Sequence, residues 1–165
     1  MTVKRLKPSE TEEISILVSG ALRRDFPYKK NTINFYLNYF NPEYFLKLIK
    51  SEKGFILGAF EENKLVGIAA IKPDFGGVAY IDWLVVEEAS RGKGVGSMLL
   101  SKIDKWALAN KFHYLYLYTE TEKNIKYYER RGYKYIGVYR SSWFGEDEHT
   151  LGKLLREKPF PEIFE

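Results

Sequence analysis

Residues 80–97 constrain this chain more than any other stretch: Tyr-Ile-Asp-Trp-Leu-Val-Val-Glu-Glu-Ala-Ser-Arg-Gly-Lys-Gly-Val-Gly-Ser. Ile81, Trp83, Leu84, Val85 and Val86 are nearly continuous and apolar, which predicts a strand buried on both faces. Arg91-Gly92-Lys93-Gly94-Val95-Gly96 then sets a glycine at every second position. Glycine lets main-chain N–H groups turn toward a ligand with no side chain in the way. The helix expected to follow begins with N–H groups that have no partner inside the helix, and its dipole places partial positive charge there. Arg91 and Lys93 add two cations. In physical terms this is a cradle for a diphosphate.

Spacing narrows the kind of cradle. A Walker A loop ends in Gly-Lys-Ser/Thr. Here Gly92-Lys93 is followed by Gly94, and the loop ends Gly96-Ser97. A dinucleotide fingerprint needs Gly-x-Gly-x-x-Gly. Counted from Gly92 or from Gly94, its third glycine falls on Ser97 or on Leu99. The local residues alone leave a ligand-free glycine turn open.

Composition bounds the rest. A chain of 165 residues, 45% hydrophobic, is long enough for one domain around one core, and a single domain over 1–165 is expected. With no cysteine, disulfides, thiolate metal sites and a cysteine nucleophile are excluded, and two histidines, His113 and His149, are too few for a metal cluster. No run of about eighteen apolar residues is present, and Met1-Thr-Val-Lys-Arg-Leu-Lys lacks the apolar core of a signal peptide. The expectation is a cytoplasmic protein with no membrane or metal partner. The net charge of +4 suits an anionic nucleotide ligand. Basic pairs such as Arg23-Arg24 and Lys29-Lys30 are scattered, so nucleic acid is not an expected partner.

In chain order, residues 2–6 predict a short strand. Ser9 to Arg24 predicts a helix with Ser9 and Glu12 as a capping box and a stripe of Ile14, Leu17, Val18, Ala21 and Leu22. Residues 28–41 are aromatic and polar, without an assigned element. Asn41-Pro42 opens a helix with Tyr44, Phe45, Leu48 and Ile49 as its buried side. Gly54–Glu62 and Leu65–Lys72 pattern as a hairpin, and the strand through Val86 follows. After the loop a helix runs to Asn110, then a strand over Tyr114–Tyr118 and a short helix over 122–131 stopped by Gly132. Tyr133–Arg140 and Thr150–Leu155 are the last strands, turning near Gly145.

A second motif lies at residues 123–133: Lys-Asn-Ile-Lys-Tyr-Tyr-Glu-Arg-Arg-Gly-Tyr. The first motif resembles the acyl-CoA-binding signature of the GNAT N-acetyltransferase family, Arg/Gln-x-x-Gly-x-Gly/Ala. The second resembles that family's Ala-Ile-x-x-Tyr-Glu-x-x-Gly-Phe. They stand in the family's order and approximate spacing, and the resemblance covers residues 54–155 well.

The resemblance implies a mixed α/β acyl-CoA N-acyltransferase fold. Its central sheet has about seven strands, mostly antiparallel with one splayed parallel pair, and is flanked by about four helices. It implies acetyl-CoA as co-substrate and a primary amine as acceptor: a small molecule, a polyamine, or a protein N-terminus or lysine. The main chain of Leu84, Val85 and Val86 would bond the pantetheine amides as a strand pairs with a strand. The N–H groups of Gly92, Lys93, Gly94, Val95, Gly96 and Ser97 would hold the diphosphate, with Arg91 and Lys93 adding charge. Tyr128 matches the tyrosine that faces the thioester sulfur and would protonate the leaving thiolate.

The chain departs from the family where an asparagine often contacts pantetheine, since Thr121 stands there. Asp82 is the candidate base, with a raised pKa from burial as its expected tuning. Glu146-Asp147-Glu148 is a candidate acidic cluster for a polyamine, and Trp143-Phe144 a candidate homodimer contact. Two rival classes remain at this level: a CoA-binding regulatory protein without catalysis, and a nucleic-acid binder.

Overall fold

A computed structural model describes residues 1–51 and 54–164; residues 52, 53 and 165, which the single-domain expectation includes, lie outside the described residues. The chain runs β1 (Thr2–Arg5), α1 (Thr11–Asp25), α2 (Lys30–Tyr39), α3 (Pro42–Lys50), β2 (Phe55–Glu61), β3 (Lys64–Pro73) and β4 (Val78–Val86). It continues with α4 (Val95–Ala109), β5 (Tyr114–Thr119), α5 (Glu122–Glu129), β6 (Lys134–Tyr139) and β7 (Glu148–Leu154). The strands form one seven-stranded sheet in the order β1-β2-β3-β4-β5-β7-β6. Its parallel pair is β4 with β5, registered Val78 to Tyr114 through Tyr80 to Tyr116. The seven-strand α/β expectation with one parallel pair is met, with five helices among the described residues where about four were expected.

Two compact units divide the chain. The first comprises Met1–Ile71 and Trp83–Ser101, the second Lys72–Asp82 and Lys102–Glu165. Each therefore draws on chain from both sides of the glycine loop.

The core of the first unit gathers Ile14, Val18 and Leu22 of α1, Phe45 and Leu48 of α3, Ile56 and Ile68 of the hairpin, and Trp83 and Val85. Spacings of four and eight residues put the α1 positions on one side of the helix. The helix starts two residues later than expected, and Ser9 does not cap it. Pro8–Glu10 forms a 3-10 turn ahead of it, where the Glu10 carboxylate accepts from the Lys7 N–H at 2.7 Å. Proline, which needs no N–H partner, opens that tighter turn. At α3 the expected cap is present: Asn41 Oδ1 accepts from the Tyr44 N–H at 3.0 Å, with Pro42 in the first turn.

The β2–β3 hairpin turns through Glu62 and Asn63, both at positive φ (49° and 68°), the conformation that matches strand twist in a two-residue turn. β4 corrects one expectation. It is not buried on both faces but alternates: Ala79, Ile81, Trp83 and Val85 are buried, while Tyr80, Asp82, Leu84 and Val86 are half-buried. A strand's side chains point alternately to opposite faces, and the polar Tyr80 and Asp82 share the wetter one.

In the second unit Ile103, Ala107, Leu115, Leu117, Tyr128, Tyr133 and Leu151 are buried. β7 pairs antiparallel with both β5 and β6. At Gly152 an added Cβ would stand 1.8 Å from the Tyr114 hydroxyl oxygen, so the absence of a side chain there is what lets the Tyr114 ring lie across β7.

Candidate active site

The glycine loop belongs to the first unit. Gly92 and Gly94 have φ of +78° and +81°, a region that residues with a Cβ rarely enter. Among the described residues nothing lies within 4 Å of a Cβ built on either. The main chain is thus bent into left-handed turns with open space where side chains would stand. The Met98 N–H donates to the Gly94 carbonyl at 3.0 Å, closing the first turn of α4. The N–H groups of Val95, Gly96 and Ser97 precede that bond, at the positive end of a fifteen-residue helix.

Several tethers hold the loop. The Glu87 N–H donates to the Val66 carbonyl at 2.8 Å, and Lys64 pairs with Glu87 at 2.6 Å. The buried Ser90 donates to Glu61 at 3.3 Å. Arg91 Nε donates to the Val86 carbonyl at 3.2 Å, while its terminal nitrogen pairs with Asp25. Lys93 pairs with Glu61 at 3.2 Å. Arg91 and Lys93, expected to add positive field, are each matched by a carboxylate. The attraction for an anion therefore rests first on the main chain and the helix dipole.

Gly67 on β3 is a positioning residue that sequence reasoning did not single out. A Cβ on it would meet Val95 Cγ1 at 2.9 Å and the Val85 carbonyl at 3.1 Å. Its missing side chain brings the start of α4 close to the strand. The available signal was a glycine inside an apolar run, which marks a bulge or a close approach.

The second unit holds the other candidates. Thr121 caps α5, its Oγ1 accepting from the Asn124 N–H at 3.2 Å, and its own hydroxyl proton is left to donate elsewhere. Tyr128 sits in the last turn of α5, 9% exposed. Burial pushes its phenol up, Tyr127 and Glu120 add to the rise, and Arg131 opposes it. The Tyr133 N–H donates to the Tyr128 carbonyl at 3.2 Å, across the left-handed turn at Gly132 (φ +85°), and the two rings meet edge to face at 5.5 Å. Glycine in the second motif thus folds the chain back onto Tyr128.

Asp82 pairs with Lys72 at 2.6 Å, its side chain 11% exposed. The Glu146-Asp147-Glu148 run does not form one acidic patch. Asp147 accepts from the Ser141 N–H at 2.9 Å and pairs with Arg140, whereas Glu148 is buried on β7. Trp143 and Phe144 are 49% and 48% exposed. Among the described residues no group of His, Cys, Asp and Glu is arranged to hold a metal ion, and no helix is long and apolar enough to cross a membrane.

The model of the acetyltransferase (GNAT) family matches residues 16–133, more than two-thirds of the chain and both motifs. The chain belongs to the GNAT acetyltransferase family. A streptothricin acetyltransferase from Escherichia coli is 36% identical over 64 residues, 39% of this chain and 37% of that protein. The match thus spans little more than a third of the relative's length. The fold of this GNAT member is shared by PaiA N-acetyltransferase from Thermoplasma acidophilum, solved in complex with coenzyme A. That likeness has a TM-score of 0.80 at 18% identity, over 93% of this chain and 99% of the other. The ribosomal-protein-S18-alanine N-acetyltransferase from Escherichia coli aligns with a TM-score of 0.71 at 16% identity, over 97% of each chain.

Proposed function

We propose that this GNAT protein moves an acetyl group from acetyl-CoA to a primary amine by direct attack. The observation that carries the reading is the loop itself: two left-handed glycines, open above the main chain, at the positive end of α4. That geometry suits a diphosphate, which main-chain N–H groups bind without side-chain competition. A relative of the same fold holding coenzyme A supports the choice of ligand.

On this reading the main-chain groups of Leu84, Val85 and Val86 bond the pantetheine amides. Gly92, Lys93, Gly94, Val95, Gly96 and Ser97 hold the diphosphate, with the Arg91 and Lys93 side chains at its rim. Thr121 offers its hydroxyl proton to the same arm. Acetyl-CoA supplies an activated thioester carbonyl. Asp82 takes the proton that the amine must lose, directly or through a water. The amine nitrogen bonds to the carbonyl carbon, a main-chain N–H at Leu84 or Val85 holds the developing oxyanion, and the carbon–sulfur bond breaks. Tyr128 donates its phenolic proton toward the departing sulfur. A phenol pushed above its usual value of about 10 keeps that proton throughout the neutral range. No covalent acyl-enzyme is needed.

The test is thiol release from acetyl-CoA in the presence of a mixed amine library, with products identified by mass. Amine-dependent release with matching acetylated products is expected. Coenzyme A binding without release for any amine would overturn the catalytic reading.

A further inference from the structure

One face of the second unit carries a continuous run of aromatic rings that the acetyl-transfer steps do not use. The parallel register sets Tyr80 of β4 beside Tyr116 of β5, and their rings stack at 5.0 Å and 29°. Tyr118, two residues along β5 on the same face, stands edge-on to both at 5.8 and 6.0 Å. Trp143 meets Tyr118 edge-on at 5.2 Å. Trp143 is half exposed, and Tyr80, Tyr116 and Tyr118 are half-buried, so ring surface remains open to solvent.

The charges on this face are mostly negative. The Tyr116 hydroxyl donates to Asp74 Oδ2 at 2.7 Å, and the Phe75 N–H donates to the other oxygen. Those two hydrogen bonds hold the Asp74 carboxyl below its ordinary range. Asp82 is two residues beyond Tyr80 on the same side of β4, paired with Lys72. Glu148 on β7 lies two residues from Thr150, the partner of Tyr118. Burial first pushes the phenols of Tyr80, Tyr116 and Tyr118 up, and then Asp82 adds to the rise at Tyr80, Asp74 at Tyr116, and Tyr139 ahead of Asp74 and Glu148 at Tyr118. Among the described residues Asp74, Asp82 and Glu148 thus lie on this face with Lys72 beside them, and Asp74 is the exposed carboxylate of the three. Arg140, which follows β6, is committed to Asp147, and Lys153 stands on the other side of the sheet, in register with Leu115.

Open aromatic faces beside carboxylates attract cations. An amine must be neutral at the moment it attacks, so this attraction serves a nitrogen other than the reacting one. We propose that this tyrosine-lined face is the acceptor site and that it takes a flexible polyamine, whose second, charged nitrogen rests against Tyr116, Tyr118 and Trp143 near Asp74. The inference rests on the acetyl-transfer reading. It makes these residues specificity determinants that leave the reacting atoms alone. A simple monoamine has no charge left for the face to hold once it is ready to react, and neither has a protein N-terminal amine.

The test is steady-state thiol release at saturating acetyl-CoA with spermidine, butylamine and a short lysine-free peptide with a free N-terminus. Spermidine is expected to have a kcat/KM at least about tenfold above the other two. Tyr118→Leu and Asp74→Asn should each raise the KM for spermidine about tenfold with little change in kcat or in the KM for acetyl-CoA. Tyr118→Phe, which keeps a ring, should retain the wild-type KM. Thermal unfolding of each variant checks that it is folded, and Asp74, exposed in a turn, gives a variant with little fold at stake. Turnover with equal preference for butylamine, preference for the peptide, or an unchanged spermidine KM in both Tyr118→Leu and Asp74→Asn would overturn the inference and leave acetyl transfer standing. Failure to bind coenzyme A would instead overturn the acetyl-transfer reading, and the acceptor role with it.

Discussion

Lys72 Nζ stands 2.6 Å from Asp82 Oδ2, on a part of the sheet face where Asp82 is only 11% exposed. An aspartate on a strand lined with apolar neighbours needs a partner, because an unpaired buried carboxylate is costly. Lys72 supplies it and fixes the direction in which the carboxylate points. If that carboxylate also takes the amine proton, Asp82→Asn should lower kcat by about 10²-fold or more while the KM for acetyl-CoA stays put. Steady-state kinetics on the folded variant decide this. An unchanged kcat would leave Asp82 as a structural partner of Lys72 alone.

Tyr128→Phe removes one oxygen from a buried ring and leaves its packing on Tyr133 in place. The expected result is a fall in kcat of about 10²-fold with coenzyme A affinity unchanged. Isothermal titration alongside turnover separates the two quantities. Undiminished kcat would remove Tyr128 as the proton donor.

Gly67 and Gly94 act on the loop in different ways, and their substitutions should differ accordingly. Gly94→Ala forces a Cβ into a backbone conformation with φ of +81°, at a cost of about 1–2 kcal/mol. It should weaken coenzyme A binding by moving the main-chain donors. Gly67→Ala meets Val95 Cγ1 at 2.9 Å and the Val85 carbonyl at 3.1 Å, which overpacks the site by about 1–3 kcal/mol. It should lower coenzyme A affinity by displacing the first turn of α4, although it stands on another strand. Denaturant unfolding gives the stabilities and calorimetry the affinities.

Alkaline pH should unfold the protein through its buried phenols. Burial raises Tyr128 and Tyr133 above the ordinary tyrosine value. Below about pH 10 both are neutral in the folded and unfolded chain and contribute no pH dependence. Above it the unfolded phenols ionise while the folded ones do not, so stability falls by about 1.4 kcal/mol per pH unit for each. Urea unfolding between pH 9 and 11, read with tyrosinate absorbance, should show a falling midpoint. Part of the tyrosinate signal should appear only with unfolding. A midpoint that rises through this window would contradict the assignment.

Much of this was legible in the chain itself. The strands are legible as apolar or aromatic runs bounded by glycine-rich or polar turns, β2 and β3 being apolar nearly throughout, and the Asn41-Pro42 cap marks α3. Helix α2 was not legible. Its N-cap position is Lys29, with no side-chain cap, and only Thr32 is buried in it, so no apolar stripe stands out. On β4 the wetter face carries Tyr80 and Asp82 but also the apolar Leu84 and Val86, so the alternation was hidden in an apolar run. At the loop, glycine spacing carried the reading, because backbone conformation is written in residue type. The carboxylates that meet Arg91 and Lys93 were out of reach: Asp25 and Glu61 stand 66 and 32 residues away in sequence. The sequence separation of such pairs leaves no local trace.

The central claim is that the loop at Gly92–Ser97 grips the phosphates of coenzyme A through its main chain. Isothermal titration of coenzyme A into the wild-type protein and into Gly94→Val tests it most directly. A saturable one-to-one isotherm for the wild type, lost or severely weakened in a folded Gly94→Val variant, is the predicted result. No heat with the wild type at high ligand excess and neutral pH, or the same affinity in both proteins, would contradict it.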